Sequence, residues 1–218
     1  MSSGAIAFVN YAELGVPMLS LRSTTSYLDP KVAPTSPTIF RCCAERATVA
    51  RAIAMTPTSG DPLLDVLLHG PLFRFADWPV EAVPKAAAGV YSIWDQARLL
   101  YVGMSGRGAD EARVQQAQSV GRPWGLATRL ASHASGRRSG DQFCVYVADF
   151  LVLPELAPEE IAEIVRRELS FDDCVKRYIR HRMCFRFVET QSGAEAMRLE
   201  AVARAGGLGQ LPILNPCH

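Results

Sequence analysis

The sequence predicts an α/β (α+β) domain in which a small, mostly antiparallel sheet is flanked by helices. Segments rich in β-branched and aromatic residues alternate irregularly with segments that carry helix start and stop signals. Two of the strand-like segments are separated only by a short polar turn, which predicts a hairpin. Hydrophobic residues make up 49% of the 218 residues and charged residues 21%, so the chain can form a packed core.

The first 60 residues differ in character from the rest. They are rich in Ser, Thr and Pro, as in "STTSYLDPKVAPTSPT", which favours loops over packed elements. We therefore expect residues 1–60 to form a loosely ordered N-terminal extension and residues 61–218 to form the main domain. The six cysteines have no C-x-x-C spacing, and neither a signal peptide nor an apolar run of about 20 residues is present. We expect a cytoplasmic protein with reduced cysteines and no membrane partner.

The main domain begins with a helix and the hairpin. Asp61 and Pro62 open the leucine-rich segment "DPLLDVLLHG", which predicts an N-capped helix that ends at Gly70. The stretch "AGVYSIWDQARLLYVGMSG" (88–106) then contains two apolar strands joined by a turn within residues 94–98. Next, "WGLATRLASHASG" predicts a helix of about three turns that stops at Gly136.

The remaining elements complete the domain. The segment "DQFCVYVADFLVL" (141–153) is dense in β-branched and aromatic residues and predicts a strand. Two helices follow, in "APEEIAEIVRREL" and "FDDCVKRYIRHR". The segment "MCFRFVETQ" predicts a last strand, and "GAEAMRLEAVARAGG" a last helix with a glycine stop.

Basic residues are concentrated locally although the net charge is only +1. Seven arginines lie within residues 98–138 against two acidic residues, which indicates a polyanionic partner more specifically than the total charge does. A second basic group lies within residues 176–186, after the strongly acidic segment 155–173. The sequence leaves two interpretations of this second group open: mutual neutralisation with the acidic segment, or a second basic surface.

The tyrosines of the hairpin and the helix after it are candidates for chemistry. A tyrosine has an ordinary pKa of about 10 and is common in strands, so Tyr91 and Tyr101 taken alone favour a packing role. Arg129 and His133 are four residues apart, which places them on one face of the predicted helix. Fixed positive charge beside a proton carrier suits a phosphate, although such a pair alone favours a solvated surface.

Three glutamates near the C-terminus are candidate metal ligands. Mg²⁺ prefers oxygen ligands and often binds through only one or two carboxylates. Glutamates on helices usually face solvent, but Glu200 stands among the apolar residues Met197, Leu199 and Val202. The other two candidates are Glu189 and Glu195.

In their order along the chain, these motifs resemble those of the GIY-YIG nuclease family. The run "FVETQSGAEAMRLE" is similar to the segment that carries the metal-binding glutamate in the nuclease domain of excinuclease, and the arrangement also resembles GIY-YIG restriction endonucleases. The resemblance spans about residues 89–216. The residues that carry it are "GVY" (89–91), "YVG" (101–103), Arg129, His133, Glu200 and "PILN" (212–215).

The chain also departs from the family pattern. Val90 and Val102 replace the isoleucines after which the family is named, which is a conservative β-branched change. Residues 141–182 form an insertion that we expect to contain a strand and two helices. In restriction-type members such segments contribute DNA contacts, so the insertion is a candidate for setting specificity.

The resemblance implies a metal-dependent endonuclease that hydrolyses phosphodiester bonds in DNA with one Mg²⁺ or Mn²⁺ ion; RNA stays open as an alternative substrate. Glu200 would hold the metal, Tyr91 would position or deprotonate the attacking water, and Arg129 would stabilise charge on the phosphate. The implied catalytic residues are Tyr91, Tyr101, Arg129, His133, Glu200 and Asn215. The implied nucleic-acid contacts are Ser105, Arg107, Arg137 and Arg138.

Strand geometry adds a requirement to this hypothesis. Side chains alternate between the two faces of a strand, so Tyr91 and Tyr101 share a face only in certain hairpin registers. If Trp94 pairs with Leu99 in a regular hairpin, the two phenols point to opposite faces. The nuclease hypothesis therefore predicts an odd-numbered loop, or a bulge with the same effect.

Two other functions remain open at this stage. One is a non-catalytic nucleic-acid-binding or adaptor protein on a GIY-YIG-like scaffold, because a fold does not guarantee an activity. The other is a purely structural α/β protein. Metal-dependent cleavage distinguishes the enzyme from both, and salt-dependent DNA binding without cleavage identifies the binding protein.

Overall fold

In a computed structural model of the chain, residues 61–216 are described; they form a five-stranded sheet with seven α-helices around it. The expected extension at residues 1–60 lies outside the described residues. The strands are β1 (Phe73–Arg74), β2 (Ala86–Asp95), β3 (Arg98–Ser105), β4 (Trp124–Gly125) and β5 (Met183–Thr190). The helices are α1 (Pro62–His69), α2 (Glu111–Val120), α3 (Leu126–Ser135), α4 (Gln142–Val147), α5 (Pro158–Val165), α6 (Phe171–Arg182) and α7 (Gly193–Val202).

The sheet is mostly antiparallel, as the sequence predicts. Its order is β1-β5-β2-β3, and all three of these neighbouring pairs are antiparallel. The two-residue β4 pairs with β2 in parallel. The longest strand, β2, is therefore central, while β3 lies at the edge and carries the second tyrosine motif.

The two faces of the sheet bury different helices. One face carries Tyr91 and Ile93 and packs against residues of α3, α4 and α6. The opposite face carries Val90 and Val102 and packs against α1 and α7. Every residue of β2 is buried, because helices cover it on both sides.

Local signals place most of the helices where the sequence predicts them. The Asp61 side chain accepts a hydrogen bond from Leu63 N at the start of α1, and α3 ends at Gly136, whose φ is 71°. The helix α2, which the sequence patterns did not predict, begins at Asp110 through the same kind of cap. None of the helices within residues 61–216 combines the length and apolar character needed to cross a bilayer.

The insertion at residues 141–182 contains no strand, although its two predicted helices are present as α5 and α6. The strand predicted for residues 141–153 is therefore wrong. This segment forms α4 and then a π-helical turn at Ala148–Val152. Asp141 caps the helix by accepting from Phe143 N. The buried residues follow helical spacing, so the segment covers the sheet instead of joining it. They are Phe143, Cys144, Val147, Ala148 and Val152.

A β-bulge brings the two tyrosines to one face of the hairpin. The connection is a tight turn in which Asp95 pairs with Arg98 and Trp94 with Leu99, the register that would separate the phenols in a regular hairpin. Ile93, however, pairs with Tyr101, so Leu100 is an extra residue in β3. The bulge that the nuclease hypothesis requires is confirmed; the odd-numbered loop is not.

Gly136 fixes the helix α3 closely against α6. Its φ of 71° disfavours other residues, and a Cβ there would overlap the backbone of Lys176. We expect Gly136→Ala to lower the free energy of unfolding by about 2 kcal/mol or more, from left-handed backbone strain plus the overlap. Gly121→Ala is the control, because Gly121 has φ 69° but open space around it, and it should cost only about 1 kcal/mol. Equal losses in urea denaturation would contradict the packing argument.

Candidate active site

The residues that the sequence proposes for chemistry converge on one pocket of about 350 Å³. It lies beside the edge strand β3, where residues of β2, α3 and α7 also meet. Seven of the ten predicted site residues line it: Tyr91, Tyr101, Ser105, Arg107, Arg129, His133 and Glu200. Asn215, Arg137 and Arg138 do not line it.

Tyr91 is held in a close-fitting position in this pocket. Its side chain is almost fully buried, and its partner across the hairpin is Gly103. A Cβ at Gly103 would overlap the Tyr91 hydroxyl, so the glycine of the second triplet makes room for the tyrosine of the first. The ring of Tyr101 lies 6.4 Å from that of Tyr91, centroid to centroid. The reversed triplets are thus complementary parts of one packing arrangement.

A buried hydrogen-bonded chain connects Tyr91 to a residue that the sequence patterns did not single out. The Tyr91 hydroxyl lies 2.8 Å from Nε2 of His133, and Nδ1 of His133 lies 2.7 Å from Oδ2 of Asp141. Ser132 Oγ donates to the same Asp141 oxygen at 2.7 Å. Asp141 is the first residue of the segment predicted as a strand, and its place as a helix N-cap is the one local signal that it carries.

Burial and charge set the protonation states in this chain. Burial lowers the pKa of His133 below its ordinary value despite the hydrogen bond and charge of Asp141, which oppose the shift. Burial alone would raise the pKa of Asp141, but hydrogen bonds from His133 and Ser132 outweigh it and hold that pKa below its ordinary value. Burial and the nearby Tyr101 raise the pKa of Tyr91 well above the ordinary value. At neutral pH the chain therefore consists of a carboxylate, a neutral imidazole and a neutral phenol.

Glu200 supplies a second carboxylate at the pocket, besides Asp141. Its side chain is 13% exposed, and its closest cation partner is Arg204, with 3.9 Å between Nη1 and Oε1. Burial raises the pKa of Glu200, and the charges of Arg204 and Arg107 only partly offset this. A carboxylate with little solvent and only a distant counter-ion is stabilised by a bound cation. Its oxygens are the ligand type that Mg²⁺ and Mn²⁺ prefer, so Glu200 fits a one-carboxylate metal site.

Asn215 lies outside the pocket but holds the strand that carries Tyr101. Its side-chain Oδ1 accepts from Val102 N and its Nδ2 donates to Val102 O, both at 2.8 Å. The backbone nitrogen of Leu214 donates to Leu100 O, at the bulge. The segment 212–215 therefore occupies the hydrogen-bonding groups of the β3 edge.

The arginines near the pocket differ in whether their guanidinium groups are free to contact a phosphate. Within residues 61–216, Arg107, Arg129 and Arg137 form no ion pair with a carboxylate, and all three are exposed. Arg138, by contrast, donates to Asp172 at 2.6 Å and stacks on the Phe171 ring. Arg138 is therefore a weaker candidate for a phosphate contact than the other three.

Two arginines of the second basic group pair with the acidic segment before it. Arg177 pairs with Glu160 at 2.7 Å, and Arg182 pairs with Glu155 at 2.9 Å. The acidic segment therefore neutralises part of this group, and both interpretations that the sequence left open apply to different residues of it.

Ser105 contributes a buried hydroxyl that has no hydrogen-bond partner within residues 61–216. It lines the pocket and is only 6% exposed. Buried polar atoms in native proteins are nearly always paired, so an unpaired one at a pocket wall marks a place where a ligand can supply the partner.

A second group in this region could hold a metal ion. His133, Asp141 and Cys144 are all buried, and one ligand atom of each lies within 4.8 Å of the others. Here the same atoms are engaged in hydrogen bonds, including one from the Cys144 thiol to the carbonyl oxygen of His133. Burial raises the pKa of Cys144, which keeps the thiol protonated and a poor ligand. The geometry therefore favours the hydrogen-bonded chain over this metal centre.

The chain was compared with protein-family models, curated proteins and solved structures. No protein-family model, no curated protein and no solved structure matches the chain. The arguments for function consequently rest on the fold and on the pocket at the β3 edge.

The buried chain predicts how stability depends on pH. Because the folded pKa of His133 is lowered, the unfolded state binds more protons below about pH 6.5, and the free energy of unfolding should fall as the pH drops through that value. The lowered pKa of Asp141 should add a further loss below about pH 3.9. Urea denaturation from pH 7.5 to 5 measures the first effect. His133→Gln should flatten the profile and His181→Gln, at an exposed site, should not; a gain in stability on acidification would contradict the prediction.

Proposed function

We propose that this protein is a metal-dependent endonuclease that hydrolyses phosphodiester bonds in DNA, with a GIY-YIG-like arrangement of its active site. One observation carries the proposal: Tyr91, Tyr101, Arg129, His133 and Glu200, spread over more than half of the described chain, line a single pocket. A purely structural protein has no need to direct so many ionisable groups into one cavity. A cation at Glu200 would supply Lewis-acid stabilisation of the phosphate and the leaving oxygen.

The chain's own residues account for the remaining parts of hydrolysis. Arg129 and Arg107 lie at the exposed side of the pocket, where fixed positive charge can bind the phosphate. The unpaired Ser105 hydroxyl can donate a hydrogen bond to a phosphate oxygen. Tyr101 lies beside Tyr91 and packs against Phe143, with ring centroids 5.2 Å apart, so its hydroxyl is held near the same space.

Proton transfer follows from the buried chain. The raised pKa of Tyr91 disfavours a free phenolate, so Tyr91 can act on water only if its own proton moves to another base. Nε2 of His133 is the neighbouring acceptor, at 2.8 Å. The water oxygen then bonds to phosphorus as one ester P–O bond breaks. One water proton moves to the Tyr91 oxygen, the Tyr91 proton moves to His133, and the leaving oxygen is protonated from solvent.

A cleavage assay tests the proposal directly. The full chain is incubated with supercoiled plasmid, branched DNA and duplex RNA, each with Mg²⁺, with Mn²⁺ and with EDTA. We expect nicked or linear products from DNA only when a divalent ion is present. The same panel includes RNA because a phosphodiester pocket alone does not distinguish the two polymers.

The unpaired arginines also favour the second candidate, a nucleic-acid-binding protein without catalysis. Its signature is DNA binding that weakens steeply with salt, with no product on any substrate or metal of the panel. Neutralising Arg137 should then reduce the salt dependence more than neutralising Arg138, whose guanidinium is already paired with Asp172. That combination of results would replace the nuclease proposal.

A further inference from the structure

We propose that Asp141 is a positioning residue of this site, whose carboxylate holds His133 in the tautomer protonated on Nδ1 so that Nε2 accepts the hydroxyl hydrogen of Tyr91. Its consequence for catalysis rests on the proposed nuclease function. The tautomer itself is a property of the folded chain and can be measured without substrate or metal. Neither the family resemblance nor the sequence pattern assigns a role to Asp141.

The direction of the hydrogen bonds follows from the groups that make them. An ionised carboxylate can only accept, so the 2.7 Å contact between Asp141 Oδ2 and His133 Nδ1 requires a hydrogen on Nδ1. A neutral imidazole then has an unprotonated Nε2, and the Tyr91 hydroxyl at 2.8 Å must donate to it. The side chains of His133 and Asp141 are only 2% and 1% exposed, so water does not compete for these contacts.

Asp141 uses its two oxygens for two different tasks. Oδ1 accepts from Phe143 N at 3.1 Å and starts α4, while Oδ2 accepts from both His133 and Ser132. One side chain thus couples the beginning of the helical insertion to the tautomer of the histidine on α3. The same residue is the helix cap that made the strand prediction for this segment wrong.

The tautomer decides whether Tyr91 can take a proton from water. With Nε2 as acceptor, the Tyr91 proton points toward His133 and the oxygen keeps a lone pair for a proton from the attacking water. As His133 accepts the proton of Tyr91 it becomes an imidazolium, which the Asp141 carboxylate stabilises. With the hydrogen on Nε2 instead, His133 would donate to the Tyr91 oxygen and could accept nothing from it.

An Asp141→Asn substitution separates the tautomer from the helix cap. Asparagine caps helices as well as aspartate does, so its single oxygen can keep the bond from Phe143 N. Its amide nitrogen would then face Nδ1 of His133 and donate to it. This arrangement moves the imidazole hydrogen to Nε2 and reverses the bond to Tyr91.

The tautomer is read from long-range ¹H–¹⁵N spectra of the ¹⁵N-labelled full chain at pH 7.5, with the His133 signals assigned through His133→Gln. We expect a protonated Nδ1 and an unprotonated Nε2 in the parent protein and the reverse in Asp141→Asn. Ser132→Ala is the matched control, because it removes the other hydrogen bond to Oδ2 and leaves the carboxylate; its tautomer should equal that of the parent. A parent protein protonated on Nε2, or an unchanged tautomer in a folded Asp141→Asn variant, would overturn the proposal.

Activity measurements then test the consequence. In Asp141→Asn we expect kcat for DNA cleavage to fall by about 10²- to 10⁴-fold with KM nearly unchanged. Losses of this size are typical when a histidine is held in the tautomer that cannot accept the proton. Parent-level kcat in a variant whose tautomer has reversed would overturn the positioning role. If the parent cuts no DNA, the nuclease proposal fails while the spectra still decide the tautomer. If Asp141→Asn does not fold, the spectrum of the parent protein alone tests the proposed tautomer of His133.

Discussion

Replacing Glu200 with glutamine is expected to reduce metal-dependent DNA cleavage by at least about 100-fold, because the substitution removes the only carboxylate proposed to hold the cation that stabilises charge on the phosphate. The substitution is nearly isosteric, and the pKa of Glu200 is already raised by burial, so the fold should be retained or slightly stabilised. Initial rates on supercoiled plasmid over a Mg²⁺ and Mn²⁺ titration measure the effect. A need for more metal at an unchanged maximal rate would indicate that Glu200 only assists binding.

Glu189→Gln is the matched control for this substitution. Glu189 is the exposed carboxylate on β5 that the sequence offered beside Glu200, and it does not line the pocket. We expect parent-level cleavage from this variant. Equal losses in both variants would assign the effect to overall charge, and parent-level cleavage by Glu200→Gln would refute the assignment of Glu200 as the metal ligand.

Removing the hydroxyl of Tyr91 is expected to have the second large effect. Tyr91→Phe keeps the ring that fills the space over Gly103 but leaves Nε2 of His133 without a partner. A buried unpaired acceptor costs about 1–3 kcal/mol, so the free energy of unfolding should fall by that amount. Cleavage should fall by at least about 100-fold, because the proton path from water to His133 is interrupted.

Tyr146→Phe is the control for Tyr91→Phe. Tyr146 is a partly buried tyrosine on α4 that packs near Phe150, outside the pocket. Removing the Tyr146 hydroxyl should leave both the cleavage rate and the free energy of unfolding close to those of the parent, as measured by initial rates and urea denaturation. A Tyr91→Phe variant that cuts as fast as the parent would remove Tyr91 from the proposed mechanism.

Local signals in the sequence sufficed for much of the fold. The helices α1 and α3 lie where the Asp61 cap and the glycine stops predict them, because a cap residue and a glycine stop act over a few residues only. The segment 142–152 was misassigned for the opposite reason. Its β-branched and aromatic residues favour a strand, yet Asp141 caps it as a helix and its apolar face packs against α3 and the sheet.

The sequence likewise predicted some features of the candidate site and missed others. The types and order of Tyr91, Tyr101, Arg129, His133 and Glu200 could be proposed from the sequence, because each lies in a short motif. Their convergence was expected only from the family resemblance, since it depends on contacts between distant elements that no local pattern encodes. Asp141 was missed because nothing in its neighbourhood along the chain places it against His133.

By itself, then, the sequence determined which residues are available for chemistry and which short segments become helices or a hairpin. Only the tertiary structure decided that Tyr91 and Tyr101 share a face. The turn sets a register that would separate them, and the extra residue Leu100 restores the alignment. Leu100 is accommodated because it packs into the core while the segment ending at Asn215 binds the β3 edge beside it. Such a bulge depends on packing and hydrogen bonds from residues more than 100 positions away, which no local pattern encodes.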